Sequence, residues 1–159
     1  MLNTPIHKYP RFFSIAIVVF TCLFLSTYSQ AQDVKIDQRL AEIEKLNDKG
    51  PALKELRQLE NIEDISPKQK ISILLLLGSS HSDLREHKKA VEYTKKALLL
   101  AQKNNLKHKQ ADLYYELSIL QYNAENYQEA VIAGRIALSY FQAINSPMKQ
   151  AHILERLKL

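Results

Sequence analysis

Apolar residues recur three and four positions apart through most of the chain after residue 66, which is the spacing of one face of an α-helix. Short polar clusters and prolines interrupt the pattern where helices would end. The pattern predicts helices over residues 67–81, 86–103, 109–122 and 126–143, and a further helix from residue 147. Gly occurs only 3 times and Trp never, while Leu, Ala, Lys and Glu recur, so the composition also favours an all-α fold.

The same positions repeat with a period of forty residues, because a shift by forty superimposes residues of matching type. The matched pairs include Ala90 and Ala130, Val91 and Val131, Ala97 and Ala137, Leu98 and Leu138, and Leu77 and Leu117. Two helices fall within each period, which predicts one antiparallel helical hairpin per repeat. We divide this region into repeat 1 (66–105), repeat 2 (106–145) and the first helix of an incomplete repeat 3 (146–159).

Two local signals support these helices. Ser66 can cap the first helix, with Pro67 in the first turn and Gln69 reaching back to complete a capping box. Gly78 and Ser118 occupy equivalent positions at which two helices can cross closely, because short side chains let the backbones approach.

These features resemble the tetratricopeptide repeat family in its forty-residue form, over residues 67–159. The resemblance is carried by Leu77-Gly78 near the end of a first helix, Ala90 and Ala97 in a second helix, and the turn sequences at 86–90 and 126–130. Ser118 replaces the family's glycine, and the usual aromatic is displaced to Tyr93 in repeat 1 and missing near Gly134 in repeat 2. The resemblance implies antiparallel hairpins stacked as a short right-handed solenoid, and a protein-binding role without catalysis.

Residues 32–64 are also predicted to be helical but fit the period poorly. One apolar face contains Leu40, Ile43 and Leu46, and a second face follows a break at Gly50 and Pro51. We interpret this stretch as a divergent helical pair that covers repeat 1, because the end of a solenoid must shield its apolar surface.

Residues 1–31 have the pattern of a signal peptide. A basic start is followed by an apolar run over residues 12–25, and Ser29 and Ala31 supply small residues for cleavage before Gln32. The alternative is an uncleaved membrane anchor over residues 12–25, although fourteen residues are fewer than the ~20 that span a bilayer as a helix. The pattern predicts an exported, periplasmic protein that contacts the membrane only if this segment is retained.

Cleavage would remove Cys22, the only cysteine, and with it disulfide and thiolate chemistry. Lys8 and Arg11 would also be lost, leaving 20 basic against 17 acidic residues, so the net charge would fall from +5 to +3. This charge is too small to favour nucleic acid as a partner.

The sequence contains no catalytic or cofactor-binding constellation. His81, Asp83 and His87 could form a metal site, but they lie at a predicted turn without a fourth ligand, which favours solvated turn residues. His108 and His152 lie in different repeats with no nucleophile beside them. We therefore predict no enzyme activity, no metal and no cofactor.

The candidate binding surface is the concave one, which the first helix of each hairpin forms in the tetratricopeptide family. Its predicted stripe consists of Ser72, Leu75, Ser79 and Ser82 in repeat 1 and Asp112, Tyr115, Ile119 and Tyr122 in repeat 2. Such a stripe suits a docked peptide or helix. The alternative is that these side chains pack against the preceding helical pair. Some family members bind a terminal carboxylate through Lys and Asn on this stripe, and those residues are replaced here.

The last predicted helix carries Ile153, Leu154 and Leu157, which would be exposed without a covering partner. This predicts a bound protein or self-association through that helix.

Two hypotheses for the function follow. The first is an exported, non-catalytic scaffold that binds a protein or peptide in its concave groove. The second is a truncated extracytoplasmic sensor region of a bacterial signalling protein, which would continue into a membrane helix and a histidine kinase or DNA-binding regulator. The fold does not identify the partner, because solenoid scaffolds serve unrelated roles.

Overall fold

The computed structural model describes the backbone of residues 10–157 and the side chains of residues 20, 21, 23, 26, 27 and 30–155. Within this part of the chain there are seven α-helices and no strand, which confirms the all-α prediction. The helices are α1 (Pro10–Glu44), α2 (Lys49–Glu60), α3 (Pro67–Asp83), α4 (His87–Lys103), α5 (Lys107–Asn123), α6 (Tyr127–Ala143) and α7 (Pro147–Leu157). Consecutive helices pack against each other from α2 onwards.

The chain divides into two compact units, Met1–Gln38 and Arg39–Leu159. The described part of the first unit is one continuous stretch of α1. The second unit contains the end of α1 and all of α2–α7. The start of the predicted signal peptide, residues 1–9, lies outside the described residues. Among the residues that were searched for membrane spans, no helix has the length and hydropathy needed to cross a bilayer.

Helices α3 to α6 each have 17 residues, and successive helices from α3 to α7 begin twenty residues apart. The period of forty therefore contains two half-periods of equal length. The predicted helix ends are correct to within two residues. The two largest shifts are at the end of α3, which is Asp83 instead of residue 81, and at the start of α5, which is Lys107 instead of residue 109.

One turn geometry joins all these helices and explains the half-period. The four turn residues in the left-handed region are Arg85, Asn105, Glu125 and Asn145, with φ of 60°, 53°, 63° and 50°. In each turn the next residue donates its N–H to the carbonyl five positions back, as from Glu86 to His81 at 2.9 Å. The left-handed residue donates to the carbonyl three positions back, as from Arg85 to Ser82 at 2.9 Å. These paired bonds define a Schellman motif, which satisfies carbonyls that the helix end would leave unpaired.

The predicted capping box at the start of α3 is confirmed. Gln69 donates its backbone N–H to Ser66 Oγ at 3.3 Å, and Ser66 donates its own N–H to Gln69 Oε1 at 3.1 Å. Helices α4, α5 and α6 have no such side-chain cap. Glutamines near the starts of α5 and α7 instead bond to the preceding helix. Gln110 Nε2 donates to Ala101 O on α4 at 3.2 Å, and Gln150 Nε2 donates to Phe141 O on α6 at 3.0 Å.

Gly78 lies at a close helix crossing, as the sequence predicts. The alanines of the repeats, Ala90, Ala97, Ala130 and Ala137, are all buried. A Cβ atom on Gly78 would lie 2.9 Å from Thr94 Oγ1 and 3.3 Å from the Ala90 carbonyl oxygen. The larger apolar residues of α3, α4 and α5 form a continuous core around this crossing, which includes Ile71, Leu74, Leu98, Leu113 and Leu117.

The predicted break at Gly50 and Pro51 is wrong. The chain leaves α1 after Glu44, and Gly50 and Pro51 lie in the first turn of α2. Asp48 caps that helix by accepting the Gly50 N–H at 3.0 Å, and a proline in the first turn loses no helical hydrogen bond. Leu46, predicted on the apolar face, lies beyond the end of α1 and is exposed.

Candidate binding cleft

An open cleft lies between α3 and α5, which run in the same direction because each is antiparallel to α4. Its volume is about 360 Å³. The lining residues, which define the α3–α5 cleft, are Glu44, Leu75, Leu76, Ser79, Ser82, Asp83, Thr94, Asp112, Glu116, Ile119 and Leu120. Its apolar surface comes from α3 and α5, and Thr94 of α4 is almost fully buried beneath them.

Five residues of the predicted stripe line this cleft: Leu75, Ser79, Ser82, Asp112 and Ile119. Ser79 is exposed, and the other four are half-buried. The cleft therefore brings together predicted residues from both repeats.

The other three residues of the stripe lie elsewhere. Ser72 is half-buried and donates to Lys68 O at 3.2 Å. Tyr115 packs against a buried cluster from α5, α6 and α7 that contains Phe141 and Ile153. Tyr122 is 51% exposed at the end of α5, where it meets Tyr127 edge-on with ring centroids 5.3 Å apart. Spacing along a helix puts residues on one face, but the packing of α6 and α7 over part of α5 separates Tyr115 from the cleft.

All charged residues that line the α3–α5 cleft are acidic: Glu44, Asp83, Asp112 and Glu116. Asp83 pairs with Lys49 Nζ at 3.2 Å, and Asp112 pairs with Lys149. The lysines come from α2 and α7, which lie before and after the two hairpins in the chain. Sequence reasoning missed Glu116 although it follows Asp112 by one helical turn. No local signal could have identified Glu44, because tertiary packing brings the end of α1 here.

The prediction that His81, at the first hairpin turn, is solvated is wrong. His81 is 2% exposed, its ring stacks on Tyr93 with centroids 5.3 Å apart, and its Nδ1 lies 2.5 Å from Glu86 Oε2. The bond to Lys89 and then the bond to His81 hold the pKa of the Glu86 carboxyl below its ordinary value. The position is buried because it lies on the side of α3 that faces the start of α4. His81 is therefore part of the turn structure.

The remaining candidates for metal or catalytic chemistry stay apart. Asp83 is engaged by Lys49, and His108 and His152 are exposed on different helices. In the searched part of the chain, no three His, Cys, Asp or Glu side chains are grouped so that they could hold a metal ion.

A second cleft, of about 460 Å³, lies between the two hairpin turns. It is lined by residues 85–89 and 123–125, and all of these except Ala124 carry polar side chains. The ion pair between Glu86 and Lys89 lies within this set at 3.1 Å. This cleft lacks the large apolar side chains that a docked segment would bury.

The predicted exposed surface of the last helix is only partly present. Ile153 is 1% exposed and packs with Ala111, Ala137 and Phe141. The prediction of an exposed Ile153 is therefore wrong, because its equivalents Ile73 and Leu113 are also buried on this side of a first helix. Leu154 is 39% exposed, and the side chain of Leu157 lies outside the described residues.

Comparison with known proteins gives a structural likeness only. No protein-family model and no curated protein sequence matches the chain. A solved structure that is similar is a signal transduction ATPase with numerous domains and a tetratricopeptide repeat sensor from Pyrococcus horikoshii, with a TM-score of 0.63 and 22% sequence identity. The likeness covers 75% of this chain and 19% of that protein, so the chain corresponds to about a fifth of its length. It shows that the chain has a tetratricopeptide-like fold.

Proposed function

We propose that this chain is an exported, non-catalytic interaction module that binds a peptide or helix of another protein in the α3–α5 cleft. The observation that carries the proposal is a cleft with half-buried Leu75 and Ile119 on the first helices of two successive hairpins. Tetratricopeptide-like folds are generally protein-binding modules without catalytic activity, which agrees with this arrangement. Export is supported by the signal-peptide pattern of residues 1–31.

Site-specific photocrosslinking tests the proposal, with a photoreactive amino acid placed at Ser79 in cells. The matched control is the same amino acid at Ser139 on α6. Both serines are exposed, and each donates its hydroxyl to a carbonyl three residues back, at 3.2 Å for Ser79 and 2.8 Å for Ser139. We expect a discrete protein adduct from Ser79 and none from Ser139. Equal adducts at both positions, or none at either, would contradict the proposal.

The second candidate is the sensor region of a longer signalling protein. It is favoured by the comparison structure, in which a tetratricopeptide repeat sensor belongs to a much larger signal transduction ATPase. The mass of the native protein distinguishes the two. Peptides from beyond Leu159 that continue into a membrane helix and a signalling domain would support the sensor, and a native mass at or below 18.3 kDa would count against it.

A further inference from the structure

The α3–α5 cleft combines an apolar surface with one sign of charge. Leu75 and Leu76 from α3 and Ile119 and Leu120 from α5 supply the apolar surface, and every charged lining residue is acidic. The whole chain is basic, with 22 Lys and Arg against 17 Asp and Glu. The charged side chains that line the cleft are therefore opposite in sign to the net charge of the protein, although Asp83 and Asp112 are each paired with a lysine from outside the lining.

The carboxylates lie at both ends of the cleft. Asp112 follows the start of α5 by five residues, whereas Asp83 is the last residue of α3. Because α3 and α5 run in the same direction, Asp112 and Asp83 are offset along the helix direction by about eleven residues, or ~16 Å at 1.5 Å per residue. The apolar residues Leu75 and Ile119 lie between them.

The protein's own lysines show which chemical group these carboxylates accept. Lys49 from α2 and Lys149 from α7 each place an ammonium group on an acidic residue of the cleft. The side chains of Asp83 and Asp112 are 55% and 39% exposed in these pairs. Exposed pairs of this kind contribute little to stability, so a ligand can replace them at little cost.

We propose that the occupant of the α3–α5 cleft is a basic segment in which Lys or Arg residues flank an apolar centre. The apolar centre covers Leu75 and Ile119, and the flanking cations pair with the carboxylates at the two ends. This inference rests on the proposed function and specifies the chemistry of its partner. Complementary charge fixes the register of such a segment along the cleft and raises its association rate. An acidic or terminal-carboxylate ligand would be repelled.

Three labelled peptides of about twelve residues test the inference by fluorescence anisotropy with the full chain. All have leucines at the centre, and their ends carry Lys and Arg, Gln, or Glu. We expect the basic peptide to bind most tightly and the Glu peptide most weakly. The paired substitution Asp112→Asn with Glu116→Gln should weaken binding of the basic peptide by up to about five-fold, because one exposed ion pair contributes at most about 1 kcal/mol and at Asp112 the ligand only replaces the pair with Lys149. Binding of the Gln peptide should be unchanged.

The matched control is Glu92→Gln with Glu129→Gln, two exposed carboxylates on α4 and α6 outside the cleft lining. Glu92 pairs with Lys96 at 2.8 Å, so this control also removes an exposed ion pair. It should leave the affinity for the basic peptide unchanged. A second pair of variants adds a positive charge instead of removing negative ones. Ser79→Arg, in the cleft, should weaken binding of the basic peptide, and Ser139→Arg, on α6, should not.

The outcomes separate the inference from the proposed function. If the Gln or Glu peptide bound as tightly as the basic one and Ser79→Arg disrupted that binding, the cleft would be a docking site and the basic partner would be wrong. If the cleft and control variants bound the basic peptide equally, the inference would also be wrong, because binding would lie elsewhere. If no peptide bound and Ser79 gave no crosslink, the proposed function itself would fail.

Discussion

The two hairpins, α3–α4 and α5–α6, each have one buried glycine, but on opposite helices. In the first hairpin Gly78 on α3 lies against Thr94 on α4. Forty residues later the equivalent positions hold Ser118 and Gly134, both buried. Thr94 donates its hydroxyl to Ala90 O at 3.0 Å, and Ser118 donates to Tyr115 O at 2.6 Å, so each hydroxyl is satisfied within its own helix. The comparison indicates that the crossing requires a small combined volume, which either helix can provide.

The hairpin turns differ in a second way. In the first, the buried His81 contacts the carboxylate of Glu86. In the second, the equivalent residues are neutral, and Asn126 Nδ2 donates to Gln121 Oε1 at 2.8 Å. The same connection across the turn is thus ionisable in one hairpin and uncharged in the other.

The largest expected effect comes from changing Gly78, where the two helices of the first hairpin cross. Gly78→Ser should lower the free energy of unfolding by about 1–3 kcal/mol, because the new Cβ would overlap the buried Thr94. Adding Thr94→Gly gives the first hairpin the same serine and glycine that the second hairpin has at the equivalent positions. The double variant should recover part of the lost free energy of unfolding. Denaturant unfolding of the two single variants and the double variant gives the coupling between the positions. A double variant no more stable than the sum of the single effects would show that the hairpins do not share one crossing.

A smaller effect sharpens the comparison of the turns. Arg85→Gly and Glu125→Gly should each stabilise the protein by about 0.5–1 kcal/mol, because glycine adopts a positive φ without the steric cost of a Cβ. Asn105→Gly, in the turn between the hairpins, should raise the stability by less, since asparagine tolerates this conformation better than most residues. Denaturation midpoints measure all three. The interpretation would fail if Asn105→Gly gained as much as the other two or if Glu125→Gly were destabilising.

The smallest expected effect concerns Glu86, whose carboxylate contacts His81 in the first hairpin turn. Because the pKa of Glu86 is lowered in the folded state, its stabilising effect is complete above the ordinary glutamate pKa and is lost as pH falls through the lowered value. The stability difference between wild type and Glu86→Gln should therefore shrink on acidification. The effect of Asn126→Ala in the second hairpin should stay constant over the same range. Thermal unfolding across this pH range provides the measurement, and a constant difference for Glu86→Gln would contradict the assignment.

The helices could be predicted from the sequence because their signals are local. Apolar spacing, the Ser66 capping box and the short side chain at the Gly78 crossing can be recognised from the sequence pattern, and the structure confirms each of them. The break before α2 was misplaced because proline and glycine can also open a helix. The equal spacing of the turns was missed because Arg85 and Glu125 are not residues that typically mark a left-handed conformation.

The composition of the cleft was decided by tertiary structure. Periodicity placed Leu75, Ser79 and Ile119 on exposed helix faces, but it could not distinguish them from Tyr115, which packs against a cluster of α5, α6 and α7 and is partly buried. Nor could it place Glu44 in the same cleft as Asp83, since these residues line one cleft only when separate helices pack. Local hydrogen bonding and side-chain spacing determine where the helices form, whereas burial of their faces against one another determines which side chains remain to bind a partner.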